Sequence, residues 1–491
     1  MSNYFLPYSP EESYLLPPSP RDWLPSDHLA YQVLEVVLLL DFGVFDAHYS
    51  RDGRGAPAFD PRMMVALLIY SWAHRIFSSR KIASFHRNDV GARILVAEHA
   101  PDFRSIHEFQ QRHAEALTGL LKQSVKLCRR AGLVSMENVA IDGTKLSANA
   151  GGRNVLTYAQ ITQEEEALAE EIRQFLSRAL AEDAKEDSLF GADADGSDLP
   201  KELRTRAQRL AKLREAKAAL EADARAAEAK RKEKWDATPK DKRPHKKAPD
   251  PDTATPKQNA MRSLADPDSR RMKSKSGFLQ GYNAQIAVDT GHQIIVGCTV
   301  TQEANDYWQL LPVLDQVQAN THELPEYVLA DAGYFSEENV KAVERLGCVA
   351  LVPPESSRLM LKRPLCAPLP EEVLAELSLK ERQLHLLSTP DGRERYGLRC
   401  TTAEPVFGQI KGSPGHAGFR QFLRRGLENC SVQWHCVCAT HNILKYLRAM
   451  GGFAPESGKT RAESPLFIIL RPLFGHCDTL ARQLPLFFAT A

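Results

Sequence analysis

The chain has 491 residues, with 63 Lys and Arg against 62 Asp and Glu and a formal net charge of +1. Such a length suits two or three domains with a sizeable core. The charge balance excludes any argument for nucleic acid from net charge, so that argument has to come from local patches.

Nine cysteines, odd in number and scattered, read as reduced thiols of a cytoplasmic protein. The first twenty residues are Pro-rich and lack a basic leader, and residues 1–27 read as a poorly ordered lead-in. Tyr31–Phe45 is apolar, but it is too short to span a bilayer and carries Glu35 and Asp41, so no membrane role is expected.

From 28 to 134 the pattern is helical. Asp60-Pro61 is a helix start, with Asp at the cap and Pro at the first position. Ser78–Ile82 opens a second helix and Ser105–Phe109 a third. Arg75, Arg80, Lys81, Arg87, Arg104 and Arg112 on these helices could form a helix-turn-helix-like DNA reader or a plain solvated surface.

Val139–Asp142 and Tyr327–Asp331 are apolar runs ending in Asp near a Gly, which reads as two buried strands with an acid where the chain turns away. Isolated acids at such places are costly, whereas acids paired on a cation are its natural ligands. Between the two runs, residues 151–260 change composition. Glu164–Asp198 is acidic, and Lys230–Lys247 is basic. Leu203, Arg206, Leu210, Leu213, Lys217 and Leu220 alternate at three and four, a partial heptad. This predicts a helical hairpin with Leu210, Leu213 and Leu220 on its seam, either satisfied within the chain or pairing two protomers, followed by a basic loop.

Tyr282–Asp289 and Gln293–Thr301, split by Thr290-Gly291-His292, give a hairpin signal. Helices are expected at Asp306–Gln318 and Ser336–Leu346, and a strand at Cys348–Val352. Residues 353–395 form a second insertion with a helix at Pro370–Leu387. Glu404 and Lys411, seven apart, share a helix face, and Tyr396 and Arg399 lie just upstream. Phe419–Gly426 is basic, with Arg420 and Arg424 suited to a DNA backbone. His435, Cys436, Cys438 and His441 lie on an expected helix at Gln433–Leu447. There a Cys-x-Cys pair diverges, and no zinc is expected. Residues 451–491 form a tail with no readable chemistry.

The stretches IDGTKLSANA, DPDSRRMK, GYNAQIAVD, LADAGYFSEENV and AEPVFGQIK resemble DDE transposases of bacterial insertion sequences, most closely the IS-eleven-eighty-two-like kind with a Tyr-Arg-Glu-Lys signature. The likeness covers most of 28–447. Four residues rather than three separate Arg399 from Glu404. The resemblance implies an α/β fold: a ribonuclease-H-like catalytic domain over 135–450, interrupted by helical insertions and preceded by an all-helical N-terminal DNA-binding domain. It implies Asp142, Asp331 and Glu404 as catalytic residues holding two Mg²⁺ or Mn²⁺ ions, and Tyr396, Arg399, Lys411, Arg420 and Arg424 as DNA contacts. It further implies a cytoplasmic, nucleoid-associated protein acting on insertion-sequence ends and target DNA as a homodimer. A nuclease without strand transfer and a non-catalytic DNA-binding descendant are the other readings.

Overall fold

The computed structural model describes residues 19–49, 58–97, 99–151, 154–190, 201–239, 248–274, 277–360, 362–412 and 418–451. Most of the expected lead-in, the basic residues 240–247 and all but one residue of the expected tail lie outside them.

Helices α1 (Leu29–Leu38), α2 (Gly43–Asp46), α3 (Pro61–Ala73), α4 (Ser79–Asn88), α5 (Val90–Val96), α6 (Phe103–Arg112) and α7 (Ala114–Arg130) come first. Asp60 caps α3 by accepting the Arg62 amide at 2.7 Å, and Pro61 takes the first position, where no donor is lost. From Met64 to Trp72 every residue of α3 is buried, so it shows no polar stripe. Helix α6 begins earlier than the sequence suggests because Asp102 caps it, accepting from the Ser105 amide at 2.7 Å. Only Asp89 separates α4 from α5, and it caps α5 through the Ala92 amide.

After these helices comes a mixed six-stranded sheet. It comprises β1 (Asn138–Ser147), β4 (Arg270–Ser274), β5 (Gly277–Asp289), β6 (Ile294–Thr301), β7 (Tyr327–Leu329) and β8 (Val349–Leu351). Strand β1 runs antiparallel to β5, which pairs antiparallel with β6 and β4. On its other edge β1 runs parallel to β7, and β7 parallel to β8. An antiparallel meander followed by helix, strand, helix and strand is consistent with a ribonuclease-H-like core. Helices α10 (Leu310–Thr321) and α11 (Glu337–Arg345) make the crossovers.

Side chains alternate across a strand. Ala140 therefore packs with Leu329, Leu351, Tyr396 and Ala403 on one face, while Val139 and Ile141 join the larger core on the other. That larger core is continuous with the N-terminal helices. Leu117, Leu120, Val125 and Cys128 of α7 share it with Trp434, Val437, Cys438 and Leu447 of α16 (Leu427–Ala449). The N-terminal helices thus share one hydrophobic core with the sheet and α16.

The described residues of 151–260 include the two helices of the expected hairpin. Helices α8 (Tyr158–Phe190) and α9 (Lys201–Ala237) rise from a two-stranded root, β2 (Val155–Thr157) with β3 (Met261–Ser263). The seam is filled within the chain. Leu213 is fully buried and Leu210 and Leu220 nearly so, and Leu213 and Leu220 pack with Ile161, Ala216 and Leu264. This corrects the alternative that placed these leucines between protomers. The charge runs also meet in cis, where Glu165 accepts from Lys217 at 2.8 Å and Glu171 pairs with Arg206 at 3.3 Å.

The second insertion holds α12 (Ser357–Met360), α13 (Glu371–Glu376) and α14 (Leu379–Leu386), where one helix is expected over Pro370–Leu387. A capping box at Ser378 and Glu381 starts a new helix there. Helix α15 (Pro390–Lys411) follows and ends at Gly412, whose φ of 67° suits glycine.

Candidate active site

Helix α15 lies across β1. Its buried stripe, Tyr396, Arg399, Ala403, Val406 and Ile410, repeats at three and four and faces the sheet. Ala140, Asp142 and Thr144 point to the same face of β1 by the strand's period of two. The helix touches both polar members of that set. Arg399 Nη1 lies 3.6 Å from Asp142 Oδ2, and Lys411 Nζ donates to Thr144 Oγ1. Glu404 is exposed, on the flank of the buried stripe that it shares with Lys411, about 20° away around the axis.

Glu404 is followed by Pro405 inside the helix. Proline has no N–H, so the Thr401 carbonyl, four residues back, loses its helical donor. Gln293 replaces it, donating from Nε2 to Thr401 O at 3.0 Å. The Gln293 Oε1 accepts from Gln409 Nε2 at 3.1 Å and Lys445 Nζ at 2.8 Å. The turn of β5 and β6 thus splints α15 on either side of Glu404.

Asp331 follows β7, which lies beside β1, and its carboxylate lies close enough to Asp142 to act on its charge. Each aspartate accepts through Oδ1 from a nearby glycine amide at 2.8 Å, Gly143 for Asp142 and Gly333 for Asp331. Burial pushes the Asp142 carboxyl up to about 6, against the pull of Arg399, and the neighbouring Asp331 and Asp306 charges push the same way. Gly143 is required by close approach, since a Cβ there would meet the Gln285 amide and stand 2.8 Å from Asp306 Oδ1.

Asp306 is the residue that sequence reasoning missed. The sequence places it as the first residue of an expected helix, yet α10 begins at Leu310 and Asp306 instead accepts from Lys145 Nζ at 3.0 Å, Asn283 Nδ2 at 2.7 Å and Gln285 Nε2 at 2.7 Å. Gln285 in turn accepts from the Tyr334 hydroxyl, which ties the Asp331 loop to β5. The only local signal was alternation, with Asn283 and Gln285 as polar residues at every second place of an apolar strand.

The other expected residues are placed as follows. Tyr396 is 3% exposed, in the cluster beneath Arg399, whose guanidinium carbon stands 5.8 Å from its ring centroid. Arg420 donates to the Lys411 and Gly412 carbonyls and so closes the turn after α15. Arg424 is mostly buried, which lowers its pKa, and Nη1 donates to Gln110 O at 3.4 Å.

Among the described residues, no three His, Cys, Asp or Glu side chains converge closely enough to make a ready metal site. Asp142 and Asp331 nevertheless fit a hard divalent cation. They are adjacent carboxylates, one of them desolvated, and the nearest guanidinium stands beyond hydrogen-bond length.

Residues 236–443 match the model of a transposase DDE domain, and residues 18–112 match that of a transposase domain (DUF772). No curated protein and no solved structure matches the chain. The DDE match holds Asp331 and Glu404. Asp142 lies ahead of it, across the hairpin insertion, on a strand that pairs directly with β5 and β7 inside it. The chain therefore carries a transposase DDE domain behind a second transposase domain, which makes it a DDE transposase, an enzyme of DNA cleavage and strand transfer.

Proposed function

We propose that the chain binds the ends of its own insertion sequence, cuts there and joins the 3′ ends to target DNA. The core would be ribonuclease-H-like, of the IS-eleven-eighty-two-like branch with the Tyr-Arg-Glu-Lys signature. The observation that supports this best is the approach of Asp142, on the interior strand β1, and Asp331, just after β7, under a helix whose Arg399 faces Asp142 and whose Lys411 reaches Thr144, two residues further on.

Asp142 and Asp331 are the proposed ligands for Mg²⁺ or Mn²⁺, with Glu404 as the third carboxylate. Two such ions supply activation of water or a 3′-hydroxyl and neutralise the leaving oxygen. The chain's own part is positioning and charge. Arg399 favours the ionised form of Asp142 against burial, and Tyr396 packs beneath it and fixes its direction. Lys411 and Arg420, at the end of α15, orient the DNA backbone. Asp306 holds the Lys145 ammonium beside β1 as a compensated ion pair.

Pairing two ends calls for two protomers, by a surface other than the leucine seam. No helix among the described residues is long and apolar enough to cross a membrane, and nucleoid-associated action in a bacterial cytoplasm follows from the substrate. The test is an assay of the purified full chain with end-containing duplex and Mg²⁺, scored separately for cut and joined products. Cutting without joining would favour the plain nuclease. No product of either kind, with DNA bound, would favour the non-catalytic descendant.

A further inference from the structure

Two stretches that look unrelated in the sequence face each other across one cleft of about 650 Å³. One wall carries Arg80 at the start of α4 and Arg104 at the start of α6. The other carries Arg424 and Arg425, from the loop that joins α15 to α16. Glu108 is the one acidic residue lining it.

The four arginines have no carboxylate within ion-pair distance among the described residues. Arg424 is the most telling. While its Nη1 donates to the Gln110 carbonyl, its Nη2 is buried and has no hydrogen-bond partner, and a buried donor left unsatisfied is costly. The opposite wall is held ready. The guanidiniums of Arg80 and Arg104 stand 5.3 and 5.7 Å from the ring centroid of the half-exposed Phe103, a cation–π arrangement that restrains both side chains. Arg425 Nε is fixed by the Asn149 carbonyl at 3.1 Å, just beyond the end of β1, the strand that carries Asp142 in its middle.

We infer that this cleft is a track for the phosphate backbone of duplex DNA, gripping it between the N-terminal helices and the catalytic half and leading it toward Asp142. Unpaired arginines on two facing walls match a chain of phosphates, which accept planar, two-point hydrogen bonds. Both walls belong to one continuous core, so the spacing between them is fixed before DNA arrives. This assignment rests on the proposed function and says where that substrate lies.

The test uses the full-length chain and a short fluorescent duplex of mixed sequence without metal, with affinity measured across about 50 to 200 mM salt. The variant is Arg80→Gln with Arg104→Gln. Both residues are exposed and outside ion pairs, so its melting temperature should match the wild type. Loss of two phosphate contacts should reduce the slope of log affinity against log salt by about 2 and weaken binding roughly uniformly across sequences. Arg425→Gln should reduce it by about one more. Unchanged slope and affinity in the triple variant, with the wild type binding tightly, would overturn the track and leave the proposed chemistry standing. A wild type that binds no duplex at all would overturn both. A wild type that binds with the expected slopes yet never cuts would support the track and sink the catalytic reading.

Discussion

Asp142→Asn separates chemistry from stability. The folded Asp142 carboxyl titrates at about 6, above its ordinary 3.8, so the fold prefers the protonated form. Ionisation then costs stability. The cost is absent below about pH 4, grows as pH rises from 3.8 toward 6, and is complete above that. At about 1.4 kcal/mol per pH unit it amounts to roughly 3 kcal/mol, and a side chain only 16% exposed gains little relief from solvent. Asparagine mimics the neutral acid. Asp142→Asn should therefore be more stable than the wild type by about 2–3 kcal/mol at pH 7.5, and no more stable at pH 4. Thermal melting at the two pH values reads this directly. Mg²⁺ should raise the wild-type melting temperature and leave that of Asp142→Asn nearly unchanged, because a cation at the site offsets the same charge. An asparagine variant less stable at pH 7.5, or equally shifted at both pH values, would refute the account of a strained, desolvated carboxylate.

Other outcomes follow from particular contacts. Leu213→Ala should loosen the α8–α9 hairpin by about 2–4 kcal/mol, seen as faster proteolysis within 160–235, with no change of mass by light scattering; a drop in mass would restore the intermolecular seam. Gln293→Ala removes the donor to the Thr401 carbonyl beside Pro405, and should slow cutting while DNA affinity holds; unaltered rates would show that the splint does not position Glu404. Lys411→Ala should lower the salt slope of binding by about one, and a slope equal to wild type would make Lys411 only the partner of Thr144.

The two strands were legible because each is an apolar run broken by an acid near glycine, a local pattern, but only β7 stops short of its acid; β1 carries on past Asp142 to Ser147, held by its pairing with β5. The α15 stripe was legible too, since Tyr396, Arg399, Ala403, Val406 and Ile410 keep helical spacing. Asp306 was not, because its partners Lys145, Asn283 and Gln285 lie as far as 161 residues away in sequence, and locally it reads only as the start of a helix. The single helix expected at Pro370–Leu387 overlooked the Ser378–Glu381 capping box, which was in plain view. The partial heptad was read correctly as a seam, but periodicity does not say which helix fills it. Leu156, Ile161 and Leu264 settle that in favour of the same chain. Arg80 and Arg424 were each legible as candidate DNA contacts in separate segments, but only the shared core of α7 and α16 shows that those segments face each other.

The central claim is that Asp142, Asp331 and Glu404 together carry the phosphoryl transfer. It is tested most directly by single-turnover cutting of pre-bound end duplex in Mg²⁺ by Asp142→Asn, Asp331→Asn and Glu404→Gln, with DNA affinity measured alongside. The account predicts that each variant binds as the wild type does and yields neither cut nor joined product. Robust cutting by any one of the three would remove that residue from the centre and contradict the account.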